Sequence, residues 1–81
     1  MKVEYVEDGY RIELIASFDA EVEEGARVVV RVAVLDERDE AVWTEIQYVA
    51  KLPGSAPIDL ETGIAAGRRE AKRAIESGFR R

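Results

Sequence analysis

Eighty-one residues with a formal charge of −5, 47% hydrophobic and 36% charged, describe one folded domain spanning 1–81 with a modest core rather than a disordered chain. The chain has no cysteine and no histidine, which excludes a disulfide framework and removes the usual ligands and bases of zinc sites, catalytic triads and pH switches. No apolar run approaches a membrane span and the first residues form no signal-peptide core, so a cytoplasmic protein with no membrane partner is expected.

Residues 2–6 read as a short strand, and Asp8-Gly9 is a two-residue hairpin signal because glycine accepts the positive φ of a type I′ turn. The run that follows alternates cleanly, with Tyr10, Ile12, Leu14, Ala16 and Phe18 on one face and Arg11, Glu13, Ser17 and Asp19 on the other. Pairing Tyr5 opposite Ile12 across the turn adds Val3 and Tyr5 to the inner face. Residues 21–25 form a charged loop ending in glycine. Residues 26–35 are rich in valine, and Val28, Val30, Val32 and Val34 share one face. Residues 36–40 are a polar hairpin tip, and residues 42–52 read as a fourth strand with Val42, Ile46, Tyr48 and Ala50 toward the core. The prolines and glycine of residues 53–57 cannot extend a strand and deliver the chain to a helix.

That helix is expected over residues 58–79. Asp59 is the favoured N-cap, and Ser55 with Pro57 is a competing start. Leu60, Ile64, Gly67, Ala71, Ala74, Ile75 and Gly78 fall in one stripe, opposite Arg69, Lys72, Arg73 and Arg80. Gly63, Gly67, Ala71, Ala74 and Gly78 make a nearly continuous small-residue strip that lets a sheet approach closely, with Val30, Val32 or Ile46 expected against Gly67 and Ala71. A helix–helix seam would use the same strip. The predicted fold is therefore α+β, a four-stranded antiparallel meander followed by one C-terminal helix packed on one face (ββββα).

Symmetric hairpins would line up Glu13, Arg31 and Glu45 as an ion-pair row on the other face. Around that row fall Ile15, Val29, Ala33, Leu35, Trp43 and Val49, a set too apolar for a merely solvated surface. Two readings follow from it. Either these six residues are a protein interface, for another protein or a second copy of this chain, or a bulge turns Trp43 inward.

Charge divides along the chain. Residues 1–61 hold fifteen acids and six bases, residues 62–81 two acids and six bases. Arg68, Arg69, Lys72, Arg73 and Arg80 are candidate phosphate contacts, which makes single-stranded nucleic acid the alternative partner. The order of four strands then a helix is similar to Pur-type repeats, Whirly proteins and a single-stranded-DNA-binding transcriptional coactivator. That likeness implies binding through a basic sheet face, where this chain is expected to carry Glu4, Glu13 and Glu45.

Residues for catalysis are lacking. Ser17, Ser55 and Ser77 have no histidine to activate them, and Lys2, Lys51 and Lys72 sit in no obviously apolar pocket. The tip at 36–40 places Arg38 where a calcium loop needs an oxygen, and residues 63–67 have the glycines of a phosphate loop without its lysine. No catalytic residue, metal site or cofactor is expected. Gly9-Tyr10-Arg11-Ile12-Glu13 and the alanine-rich stretch Ala66-Gly67-Arg68-Arg69-Glu70-Ala71-Lys72-Arg73-Ala74-Ile75-Glu76 resemble small uncharacterised bacterial proteins of similar length, a resemblance that implies the fold but no activity. A weaker likeness, to small antitoxin-like folds, rests on the Asp-Gly-Tyr hairpin and the acidic start of the helix. The function expected is a small non-enzymatic protein-interaction module.

Overall fold

The computed structural model describes residues 1–79. Strands β1 (Lys2–Glu7), β2 (Tyr10–Phe18), β3 (Arg27–Leu35) and β4 (Ala41–Ala50) form one open antiparallel sheet in the order β1-β2-β3-β4, and helix α1 (Leu60–Glu76) follows. Asp8 and Gly9 both take positive φ, 51° and 81°, as a type I′ turn requires. That turn sets Tyr5 opposite Ile12, the expected pairing.

The core lies between α1 and the facing side of β2 and β3. Ile12, Leu14, Val28, Val30, Val32 and Val34 are fully buried there, joined by Ile64 and Ala71 from the helix. The close approach comes from glycine. A Cβ on Gly63 would stand 2.5 Å from Val28 Cγ1, and one on Gly67 would stand 3.0 Å from Val30 Cγ1 and 3.1 Å from Leu14 Cδ2. Gly67 and Ala71 therefore face the sheet as expected, with Leu14 rather than Ile46 completing the contact with Val30 and Val32.

Both helix ends are closed by hydrogen bonds. The Asp59 carboxylate accepts from Thr62 N at 2.9 Å and from Thr62 Oγ1 at 2.8 Å, so Asp59 is the cap and the alternative start at Ser55 is not used. At the other end Phe79 N donates to Ala74 O and Gly78 N to Ile75 O, a Schellman motif. Gly78 thus lies beyond the helix instead of on its packed stripe. The turn carries Phe79 onto Tyr10, their rings 5.3 Å apart and nearly perpendicular.

Two registers differ from expectation. Between β2 and β3, Glu13 meets Ala33 and Ile15 meets Arg31, so the Glu13–Arg31 alignment is displaced by two residues. The cause is the ion pair of Arg27 Nε with Asp19 Oδ2, 2.6 Å, which closes this hairpin at residues 19 and 27. The rest of that loop turns away to hold the linker, Gly25 O accepting from Ile58 N and Ala26 O from Lys51 N.

Between β3 and β4, Leu35 pairs with Ala41 but Val34 pairs with Trp43, leaving Val42 as a bulge. The tip enforces this, because Asp36 Oδ1 accepts from the N–H groups of Arg38 and Glu40 and fixes how the chain enters β4. One extra residue reverses the faces of everything after it. Trp43, Glu45, Gln47 and Val49 turn to the helix side, while Thr44, Ile46, Tyr48 and Ala50 turn outward, the opposite of the core face expected for Val42, Ile46, Tyr48 and Ala50. Val42 itself, in the bulge, is exposed.

Candidate interaction site on the open sheet face

The helix covers one side of the sheet, and the register determines what the other side presents. Reading across β1 to β4, successive rows are Val6–Arg11–Leu35–Ala41, Glu4–Glu13–Ala33–Thr44, Lys2–Ile15–Arg31–Ile46 and Ser17–Val29–Tyr48. Four apolar side chains on this face stand well clear of the chain: Val6 at 72% exposure, Tyr48 at 62%, Ile46 at 51% and Ile15 at 42%. Between β2 and β4 the face sinks into a shallow depression of about 610 Å3, lined by Glu13, Ile15, Arg31, Ala33, Thr44 and Ile46.

Of the six interface residues read from sequence, Ile15, Val29 and Ala33 share this face. Trp43 and Val49 do not, since the bulge turns them to the helix side, where both pair with core valines. Leu35 is on the face but only 8% exposed. Arg11 is directly opposite it and reaches Asp39 in the tip at 3.2 Å. Val6, Ile46 and Tyr48 were missed. The signal for the latter two was the Asp-rich tip, whose short hydrogen-bonded turn forces an odd residue into β4.

Charge on the face is largely matched within the chain. Lys2 meets Glu4 at 3.1 Å, Arg11 meets Glu13 at 3.4 Å, and Arg27 meets Asp19. Two features stand apart. Glu4 and Glu13, each beside its own cation, are directly opposite one another, a like-charge pair that disfavours the hairpin. Arg31 has no carboxylate within ion-pair distance among the described residues and sits between Ile15 and Ile46. Glu45 was expected in a row with Arg31 and lies instead on the helix side of the edge strand β4. An inward-pointing charge there discourages another strand from adding to that edge.

On α1 the basic side chains Arg68, Arg69, Lys72 and Arg73 are all exposed. Three already have partners. Arg68 lies over the Tyr5 ring at 4.4 Å, Arg73 bonds Glu70 at 3.1 Å, and Lys72 is 4.0 Å from Glu76. Arg80 and Arg81 lie outside the described residues. Burial pushes the Tyr5 phenol above its ordinary value, with the neighbouring Arg68 guanidinium acting against that rise. The Asp19 carboxyl is held below the usual range by the Glu21 N–H and by Arg27, and the Asp59 carboxyl by the Thr62 hydroxyl and N–H.

Among the described residues no group of three or more histidine, cysteine or acidic side chains is placed to hold a metal ion. No helix among them is long and apolar enough to cross a membrane. In comparisons with known proteins, no family model, curated protein or solved structure matches this chain.

Proposed function

We propose that this chain is a non-enzymatic interaction module that docks another protein surface on its open sheet face. The observation that carries the reading is the exposed apolar set Val6, Ile15, Ile46 and Tyr48, spread over β1, β2 and β4 of one continuous face. Scattered apolar side chains are ordinary on a surface, but a registered set around a concave centre resembles the core of an interface. The face is large enough. Strands about 30 Å long at about 4.8 Å spacing present a projected area of roughly 500–600 Å2, and side-chain relief brings this toward the roughly 800 Å2 per partner of a standard interface.

Nucleic acid is the weaker reading because the sheet face is acidic at Glu4 and Glu13, and on the helix Lys72 and Arg73 already have carboxylates beside them. Among the described residues of the sheet face, Arg31 is the cation without a carboxylate at ion-pair distance, and one exposed aromatic, Tyr48, offers little to stack on. Sedimentation equilibrium of wild type, Ile46→Lys and Lys72→Glu tests the protein reading. Association lost in Ile46→Lys and kept in Lys72→Glu supports the sheet face. The reverse pattern transfers the interface to the helix and overturns the proposal.

A further inference from the structure

Resting on that reading of the open face, the geometry points to its occupant: a second copy of this chain, held across a two-fold axis that passes between Glu13 and Arg31. The register places Val6, Glu13, Arg31 and Tyr48 on one diagonal, one residue from each strand. Val6 pairs with Arg11, two residues before Glu13; Glu13 pairs with Ala33, two residues after Arg31; Arg31 pairs with Ile46, two residues before Tyr48. The diagonal reads apolar, acidic, basic, aromatic.

A two-fold axis in the plane of the face, perpendicular to this diagonal at its midpoint, lays the diagonal on its own reverse. Each Glu13 then meets the other copy's Arg31, each Val6 meets the other copy's Tyr48, and Ile15 settles beside its own symmetry mate. All of these pairings come from one operation, as an isologous interface requires. They also answer two features of the free chain. Arg31, lacking a carboxylate among the described residues, gains one. Glu13, which faces Glu4 across the hairpin and has Arg11 at 3.4 Å, gains a second cation. Val6 and Tyr48, at 72% and 62% exposure the most open apolar residues on the face, cover each other.

Geometry fixes how the sheets cross. With about 4.8 Å between strands and about 6.7 Å between same-face neighbours along a strand, the axis lies about 55° from the strands. The two sheets then cross at about 70°, close to the orthogonal class of sheet packing. Edge-to-edge pairing is the competing way for a sheet to dimerise. The inward Glu45 opposes it on β4, and Lys2 and Glu4 on the short strand β1 oppose it at the other edge.

Charge reversal tests the pairing. Arg31→Glu alone sets Glu13 against an acid twice, and Glu13→Arg alone sets two bases together twice. Each variant is expected to dimerise about 100-fold more weakly than wild type, or worse. An equimolar mixture restores one native pair and creates one swapped pair, so heterodimer with near-wild-type affinity is expected by sedimentation equilibrium. Both sites are exposed or half-exposed, and thermal unfolding of each variant verifies that it folds. As a second measurement, Val6→Cys and Tyr48→Cys chains, in a protein otherwise free of cysteine, are expected to form mixed disulfides on oxidation in preference to either like pair. A wild type that stays monomeric at high micromolar concentration overturns the inference. A dimer lost in Ile46→Lys but not rescued by mixing the charge variants overturns this pairing while the face remains the interface. A dimer indifferent to Ile46→Lys removes the face itself.

Discussion

Packing of α1 against the sheet makes the sharpest energetic test, because adding atoms at two glycines has opposite effects on helix and core. In an exposed helix position, glycine to alanine gains about 1 kcal/mol of propensity. At Gly63 the new Cβ would lie 2.5 Å and 2.9 Å from methyls of Val28 and Val30, against an optimal carbon separation of about 3.5–4.0 Å. Valine is stiff at χ1 and both residues are fully buried, so the helix must lift by most of an ångström. Gly63→Ala is expected to destabilise by about 1 kcal/mol net, the overpacking exceeding the propensity gain. At Gly67 the distances of 3.0, 3.1 and 3.5 Å require smaller yielding, and Gly67→Ala should fall near zero, with the two effects cancelling to within about 0.5 kcal/mol. Gly67→Leu adds three atoms beyond that Cβ among buried methyls and should cost about 1–3 kcal/mol. Arg69→Gly, on the exposed side, reads propensity at about 1 kcal/mol of loss. Urea unfolding reads all four. With a slope of about 1 kcal/mol/M for so small a chain, the Gly67→Leu midpoint should drop by about 1–3 M. A Gly67→Leu midpoint at or above wild type refutes the packing, since only a solvent-facing glycine would respond that way.

Retention on single-stranded DNA or RNA at low salt is expected to be slight, and changing Arg69, Lys72 and Arg73 to Glu should scarcely alter it. Strong, salt-dependent retention lost in that variant would instead favour the basic helix as a nucleic-acid site. Acid stability follows from Asp19 and Asp59, whose carboxyls are held below their ordinary value of 3.8 in the folded chain. Their contribution is complete above the unfolded value and is lost as pH falls through the lower folded ones. Stability followed by circular dichroism should therefore decline below about pH 4, and less steeply in Asp19→Asn/Asp59→Asn.

Much of the fold was legible because local chemistry and global packing agreed. Asp8-Gly9 dictated the first hairpin, alternation in β2 and β3 identified the core face, and Asp59 with the small-residue strip located the helix and its packed side. What escaped depended on side-chain bonds in the loops, which the alternation of apolar residues does not encode. The Asp19–Arg27 pair moves the β2–β3 register by two, and Asp36, by accepting two N–H bonds, inserts the bulge at Val42. A two-residue shift preserves every face, so Ile15, Val29 and Ala33 stayed where alternation placed them. A one-residue bulge exchanges faces, so Trp43 and Val49 left the outer surface and Ile46 and Tyr48 entered it.

That exchange of faces has an optical consequence. Trp43, the sole tryptophan, is half-buried on the helix side and packs against the core, whereas Tyr48 stands on the open side at the far end of the sheet diagonal. Intrinsic emission excited at the indole band therefore reports undocking of the helix and is blind to events on the opposite surface. Dissociation of a sheet-face complex should leave the emission maximum unchanged, while loss of the core shifts it to longer wavelength. Folding and assembly are thus separable in one unlabelled sample, with the indole following the first and hydrodynamics following the second.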